Sequence, residues 1–314
     1  MCCSSLAPAT SIALSACSAA SLVRVEENVP LARYTTIGTG GPARWFARPG
    51  SIDELQDVLR WAKEHEVVVE TIGLGSNVLA HDDGVEALVL KLDGELVATE
   101  VEGDVLIAGG GAANAVALHR ARAAGLGGFE FASAIPGTAG GGVRMNAGAY
   151  GREWKDVMID AVVVDADYIR TLTPIELGLS YRHSALRAGE VVAQVRFQLE
   201  PSSSEAVKAR ASELLAQRKA SQPTNKRTFG SVFKNPEGER GAGRMIEECG
   251  LKGHRIGGAL ISPRHANFIE NSDGATSADC IALMAEARRR VRDEFGVVLQ
   301  HEVQFLGPLE LPPV

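Results

Sequence analysis

The stretch Ser133–Gly151, SAIPGTAGGGVRMNAGAYG, carries six glycines and one charge, Arg144. Glycine reaches positive φ cheaply and lets other groups approach the main chain closely. Successive exposed N–H groups then form a concave anion site without a cationic side chain. A second strip, Gly73–Asn77 (GLGSN), directly follows an apolar run and adds the Ser76 hydroxyl and the Asn77 amide. Two such loops can hold one dinucleotide between them. The candidates to line it are Gly73, Gly75, Ser76 and Asn77 from the first strip. The second strip offers Pro136, Gly137, Thr138, Gly141, Gly142, Asn146, Gly148 and Tyr150. Tight turns between short strands are the alternative reading of the same glycines.

A third run, IAGGGAAN (107–114), imitates a nicotinamide-dinucleotide fingerprint, with Glu130 downstream. Started at Gly109, however, the pattern G-x-G-x-x-G puts Asn114 where its third glycine belongs, the one needed for close helix–strand packing. Repeated βαβ units are also missing, so this run reads as a decoy.

The 314 residues suffice for two or three domains, and a hydrophobic fraction of 45% with 23% charged residues suits a soluble protein. A net charge of −7 argues against a nucleic-acid binder. The five cysteines show no metal-ligand spacing, which points to reduced thiols in the cytoplasm and to no metal site. In residues 1–22, LSAC (14–17) looks like a lipoprotein cleavage site. No Lys or Arg precedes it and serines break its apolar run, so a disordered tail or a mis-assigned start is expected. No run is long and apolar enough for a membrane span.

Periodicity sets out the elements that must position these loops. Ser51 and Glu54 stand at capping-box spacing, and Leu55, Val58, Leu59 and Ala62 follow at helical spacing, predicting a helix over 51–66. Strands are expected at 67–74, 87–91, 104–108, 161–165 and 191–199, and a helix over 112–124. PSSSE (201–205) is the expected domain boundary. Helices are expected over about 204–220 and 243–249, flanking a glycine-rich turn region at 228–243. A longer one, capped by Thr276 and Asp279, ends at Gly296. A final strand is expected over 297–305, with Glu302 on its polar face. The fold class is α+β, with a tail (1–22), a first domain (23–200) and a second (201–314).

Seven motifs carry a resemblance. YTTIGTGGPARWFARP (34–49), GLGSNVLAHDDGVEALVL (73–90) and IPGTAGGGVRMNAGAYG (135–151) resemble the FAD domain of UDP-N-acetylenolpyruvoylglucosamine reductases. YRHS (181–184), GSVFKNP (230–236), IGGALISPRHANFIEN (256–271) and HEVQF (301–305) resemble the same enzymes, in order. The resemblance implies a vanillyl-alcohol-oxidase-type (PCMH-like) FAD domain, a C-terminal substrate domain, and a cytoplasmic step of peptidoglycan precursor synthesis. It implies FAD and NADPH as cofactors, a small sugar-nucleotide substrate, and no nucleic-acid, membrane or obligate protein partner.

Under that resemblance, hydride passes from NADPH to FAD and then to the enol carbon of the substrate. Arg182 would meet charge developing on the substrate carboxylate, since guanidinium pairs carboxylate with two N–H bonds. Ser231 would deliver a proton to the adjacent carbon, and Glu302 would orient Arg182 or bond the carboxylate. By residue type alone, these three read as a turn arginine, a turn serine and an edge carboxylate. Tyr181, Lys234, Asn235, His265 and Asn267 fall in the substrate motifs, and Arg264 stands beside His265. Two departures stand out: Ser133 replaces a usual glycine and His183 a usual acidic residue. No tyrosine lies between Ser184 and Ser231, as in the shorter form of the family. An oxidase of the same fold, or a sugar-nucleotide-binding protein without catalysis, remains the alternative.

Overall fold

The computed structural model describes residues 11–13 and 24–314. The expectations for Cys2, Cys3, Cys17 and most of the tail therefore fall outside the described residues. Ser11–Ala13 adds a short strand antiparallel to residues 24–26.

Two five-stranded sheets build the first part of the chain. The first runs in the order 11–13, Arg24–Pro30, Pro42–Ala47, Val85–Leu90 and Val69–Thr71. It is mixed, because Val85–Leu90 lies parallel to both of its neighbours. The second is antiparallel throughout, in the order Ile169–Leu172, Met158–Val164, Val191–Gln198, Val105–Gly109 and Thr99–Glu102. The helix Ile52–Glu64 starts where Ser51 accepts the Glu54 N–H. Its buried stripe of Leu55, Val58, Leu59 and Ala62 packs with Leu88 and Leu90 of the first sheet and Val191 and Ala193 of the second. One amphipathic helix thus fuses the two sheets. A second core holds Phe129, Phe131, Trp154 and Phe197, whose rings meet mostly edge to face.

The third core is C-terminal. A three-stranded antiparallel sheet (Arg255–Ile256, Ala259–Ile261, Ile269–Asn271) packs on the helix Ser277–Phe295. That helix opens with a full capping box between Thr276 and Asp279 and ends at Gly296, whose φ is 68°.

Three expectations change. The helix Ser204–Ser221 sends Val207 and Leu214 into the core of Phe129 and Trp154, so it packs with the first domain. We therefore propose a packing boundary near residue 222 rather than 201. The strand expected over 297–305 shortens to Gln304–Leu306, which pairs parallel with Val78–Ala80 of the first domain. Before it, an isolated bridge joins His301 to Phe233. The alternation of apolar and polar residues there marks an extended strap: Leu299 and Val303 are buried, but no neighbouring strand continues the ladder. Finally, the second glycine strip holds a short helix, Ala139–Arg144, started by the Thr138 hydroxyl accepting the Gly141 N–H.

Candidate active site

A cleft of about 510 Å³ runs between the two glycine strips. The first strip is fixed behind. Asn77 donates its amide to the Glu302 carbonyl (3.2 Å), and its own carbonyl accepts the Gln304 N–H (3.0 Å). The second strip touches the first. The Ser76 hydroxyl donates to the Pro136 carbonyl (2.6 Å). A Cβ on Gly73 would stand 2.8 Å from Thr138 Oγ1, so only glycine lets the strips approach this closely. Gly137 has a φ of 153° and Gly75 of 65°.

Of the expected cofactor residues, all but one line the cleft. The exception is Asn146. It is fully buried, donates to Glu153 Oε2 (2.9 Å) and the Ser180 carbonyl (3.0 Å), and accepts the Lys155 N–H (3.0 Å). With its amide wholly used inside the protein, it has nothing left to offer a ligand.

Arg182, Ser231 and Glu302 also line this cleft, although they come from three distant parts of the chain. Arg182 sits at φ 52° in the two-residue turn where Ser180 and His183 exchange backbone hydrogen bonds of 3.1 Å. Its Nε lies 2.9 Å from Glu302 Oε1, and its Nη2 donates to the Gly148 carbonyl (2.8 Å). Ser231 follows Gly230, whose φ is 80°. Glu302 lies beside it, because the Glu302 N–H donates to the Val232 carbonyl (2.8 Å). Burial raises the Glu302 pKa above the ordinary carboxylate value, and Arg182 and Lys234 only partly oppose it.

The expected substrate residues, Tyr181, Lys234, Asn235, His265 and Asn267, stand outside the cleft lining. The Tyr181 hydroxyl accepts the Asn235 N–H (3.3 Å), and the Arg182 guanidinium covers the Tyr181 ring at 5.0 Å. Lys234 is close enough to act on Glu302 electrostatically. Asn235 Oδ1 accepts the N–H of Ala242, the first residue of the helix Ala242–Glu248. Both ends of the buried Asn267 amide clasp the Phe233 backbone, at 2.9 and 2.8 Å. His265 Nδ1 accepts the Asn267 N–H (3.2 Å), and burial followed by Lys252 lowers its pKa, which favours a neutral ring. Asn267 thus holds Val232 and Phe233, His265 braces Asn267, and Asn235 ties its own loop to the helix start at Ala242. Arg264 sits next to them, its N–H donated to Ser262 Oγ. Of the two departures, Ser133 makes a 3.5 Å bond to the Ala211 carbonyl, and His183 is exposed.

Sequence reasoning missed other lining residues. The decoy run contributes Gly110, Gly111 and Asn114 to the cleft. Asn114 donates to the Ile135 carbonyl (3.0 Å), while its Oδ1 is buried without a hydrogen-bond partner among the described residues. Arg218, from the helix Ser204–Ser221, also lines the cleft. It bonds the Ala134 carbonyl (2.8 Å) and Gln222 Oε1 (3.1 Å) but pairs with no carboxylate among the described residues. Burial lowers its pKa. A partly buried guanidinium without a counter-ion favours an anionic ligand. Its spacing in sequence carries no signal, since it looks like any arginine on a charged helix.

The cleft therefore combines main-chain donors, close-approach glycines and three cations that form no ion pair among the described residues, Lys91, Arg144 and Arg218, a donor set that fits an anionic dinucleotide such as FAD. Among the described residues there is no cluster of ligands for a metal ion, and no helix is long and apolar enough to cross a membrane.

Comparison with known proteins agrees with this geometry. A model of the UDP-N-acetylenolpyruvoylglucosamine reductase C-terminal domain matches residues 222–306, and one of an FAD binding domain matches 43–167. A UDP-N-acetylenolpyruvoylglucosamine reductase of Sphingopyxis alaskensis is 41% identical over 289 residues, covering 91% of this chain and 96% of that protein. UDP-N-acetylenolpyruvoylglucosamine reductase 2 of Symbiobacterium thermophilum is 42% identical over 286 residues, covering 90% and 92%. The crystal structure of the reductase from Thermus caldophilus matches with a TM-score of 0.79 at 36% identity, over 90% of this chain and 99% of that one. Motifs, cleft and relatives agree across both halves of the molecule, and the chain belongs to the UDP-N-acetylenolpyruvoylglucosamine reductase family.

Proposed function

We propose that this protein reduces the enolpyruvyl ether of UDP-N-acetylenolpyruvoylglucosamine to the lactyl ether, with FAD as resident cofactor and NADPH as reductant, in the cytoplasmic supply of peptidoglycan precursors. One observation carries the reading: Arg182, Ser231 and Glu302 meet on the same cleft that both glycine strips border. FAD, when bound, supplies hydride chemistry that no side chain can. The strips hold it through main-chain N–H groups, and Arg218 offsets phosphate charge. Arg182 meets the negative charge that grows on the substrate carboxylate as the double bond is reduced. Glu302 fixes the guanidinium through Nε, leaving the far edge of the fork to Gly148 and the substrate. Ser231 holds the proton that the adjacent carbon takes up; serine is a weak acid, but the carbon is a strong base at that point.

Anaerobic titration tests the reading. The purified protein should be yellow, bleach with NADPH, and recover colour promptly when the enolpyruvyl sugar nucleotide is added. Recovery with oxygen but not with the sugar nucleotide would point to an oxidase. A protein that stays colourless after FAD is supplied would point to binding without catalysis.

A further inference from the structure

We infer that Asn146 is a positioning residue for Arg182, coupling the second glycine strip to the arginine turn; the inference rests on the proposed role of Arg182. Three observations converge. First, Asn146 and Arg182 both hold left-handed backbone, at φ 38° and 52°. Left-handed backbone is strained for residues other than glycine, less so for asparagine, and persists where surrounding contacts enforce it. Second, the turn carrying Arg182 is bonded to the segment 144–148 at three points. Asn146 Nδ2 donates to the Ser180 carbonyl (3.0 Å), the Ser184 hydroxyl to the Arg144 carbonyl (2.8 Å), and Arg182 Nη2 to the Gly148 carbonyl (2.8 Å). Third, Asn146 is itself immobilised, because Glu153 Oε2 takes its other amide hydrogen and the Lys155 N–H binds its Oδ1.

The Ser180 carbonyl is already in use. It accepts the His183 N–H that closes the turn (3.1 Å), and the Asn146 amide takes the second lone-pair direction. Asn146 thereby sets where the turn begins relative to Gly148, and Gly148 lines the cleft. The guanidinium is held at the correct distance from the cofactor strip by a buried amide that never touches a ligand. Asparagine suits the position twice: it tolerates positive φ, and it presents two donors and an acceptor at once.

The test uses Asn146→Gly, which keeps the backbone conformation and removes the amide. Asn146→Asp serves as the near-isosteric second variant; it keeps the acceptor for Lys155 and loses both donors. Each is compared alone and combined with Arg182→Lys. Three results are expected. Flavin retention and the rate of flavin bleaching by NADPH stay within about twofold. Reoxidation by the enolpyruvyl sugar nucleotide slows at least tenfold. In the Arg182→Lys background that loss largely disappears, because residues acting through one another are non-additive. Amide exchange at His183 in the flavin-free protein should also quicken at least tenfold, a readout independent of turnover.

Losses that add fully in the double variant, or both half-reactions slowing alike, would overturn the inference while leaving the role of Arg182 standing. If Arg182→Lys alone leaves reoxidation unchanged, the proposed role of Arg182 falls instead. Unchanged exchange at His183 in both Asn146 variants would also overturn the positioning role.

Discussion

Glu302 Oε1 lies 2.9 Å from Arg182 Nε, yet the Glu302 carboxyl holds its proton more tightly than an ordinary glutamate. Removal from water outweighs the neighbouring cation. The pair is thus a poor source of stability and a good source of pH response. A raised native pKa means that the folded protein binds more protons than the unfolded chain. Stability from this group is therefore full below the usual value of 4.5 and declines as pH rises through the native pKa. In the Glu302→Gln variant that alkaline-going decline should vanish from urea midpoints collected from pH 4 upward. An unchanged slope would mean that Glu302 is solvated in solution.

Ser231→Ala separates the two halves of the proposed reaction. Bleaching by NADPH should stay within about twofold, while reoxidation by the sugar nucleotide should slow by about 10²–10⁴, the usual range for a lost general acid. Stopped-flow absorbance reads both. Equal slowing of the two halves would remove Ser231 from proton delivery.

Gly73→Ala pushes a methyl group against Thr138, whose hydroxyl starts the helix Ala139–Arg144. The added methyl must displace a residue that caps a helix and borders the cleft. A loss of about 1–3 kcal/mol is expected in urea unfolding, together with weaker flavin retention on gel filtration. Full retention would show that the strips separate without penalty.

Arg218→Gln keeps a polar, hydrogen-bonding end on a shorter side chain but deletes the charge. If the guanidinium offsets phosphate, the variant should bind FAD about tenfold or more weakly, and the difference should shrink at high salt because screening weakens the lost attraction. Fluorescence quenching of added flavin measures it. Equal affinities at low salt would dismiss the role.

Glu190 marks the acid limit. Burial alone would raise its pKa, but the Arg187 N–H and the Arg170 and Arg187 guanidinium groups outweigh burial and bring it down to about 2. A depressed native pKa gives stability that is present above the unfolded value of 4.5 and lost as pH falls toward about 2. Glu190→Gln should flatten the acid limb of the unfolding profile between those values. Leu186 and Glu190 border the cleft, so the same variant should also loosen it at neutral pH, where Glu190 of the unsubstituted protein is charged, and differ little from it near pH 2. Profiles that overlay would contradict the assignment.

Helix ends were the most legible part of the fold in sequence. Ser51, Thr276 and Gly296 act through local chemistry, and each does in three dimensions what its type and spacing announce. The glycine strips were equally open to reading, because few backbone conformations need so much glycine. The final strap reads as a strand in sequence, because alternation reports burial of one side and says nothing about a pairing partner. In sequence, Asn146, Asn235 and Asn267 read as ligand contacts, because polar residues within ligand-binding motifs look alike. Only coordinates distinguish an amide turned to the cleft from one turned to Ser180, Ala242 or Phe233. Arg218 and Asn114 were missed for the converse reason: a helix and an apparent decoy delivered them without any motif.

The bond from Asn77 to Glu302 spans 225 positions of chain, and the pairing of Gln304–Leu306 with Val78–Ala80 reinforces it. During synthesis, the first strip leaves the ribosome long before the segment that braces it. A nascent chain that ends after the two sheets lacks Ser231, Glu302 and the strap behind Asn77. The first glycine strip therefore takes its final support only once the last residues of the second domain have been made.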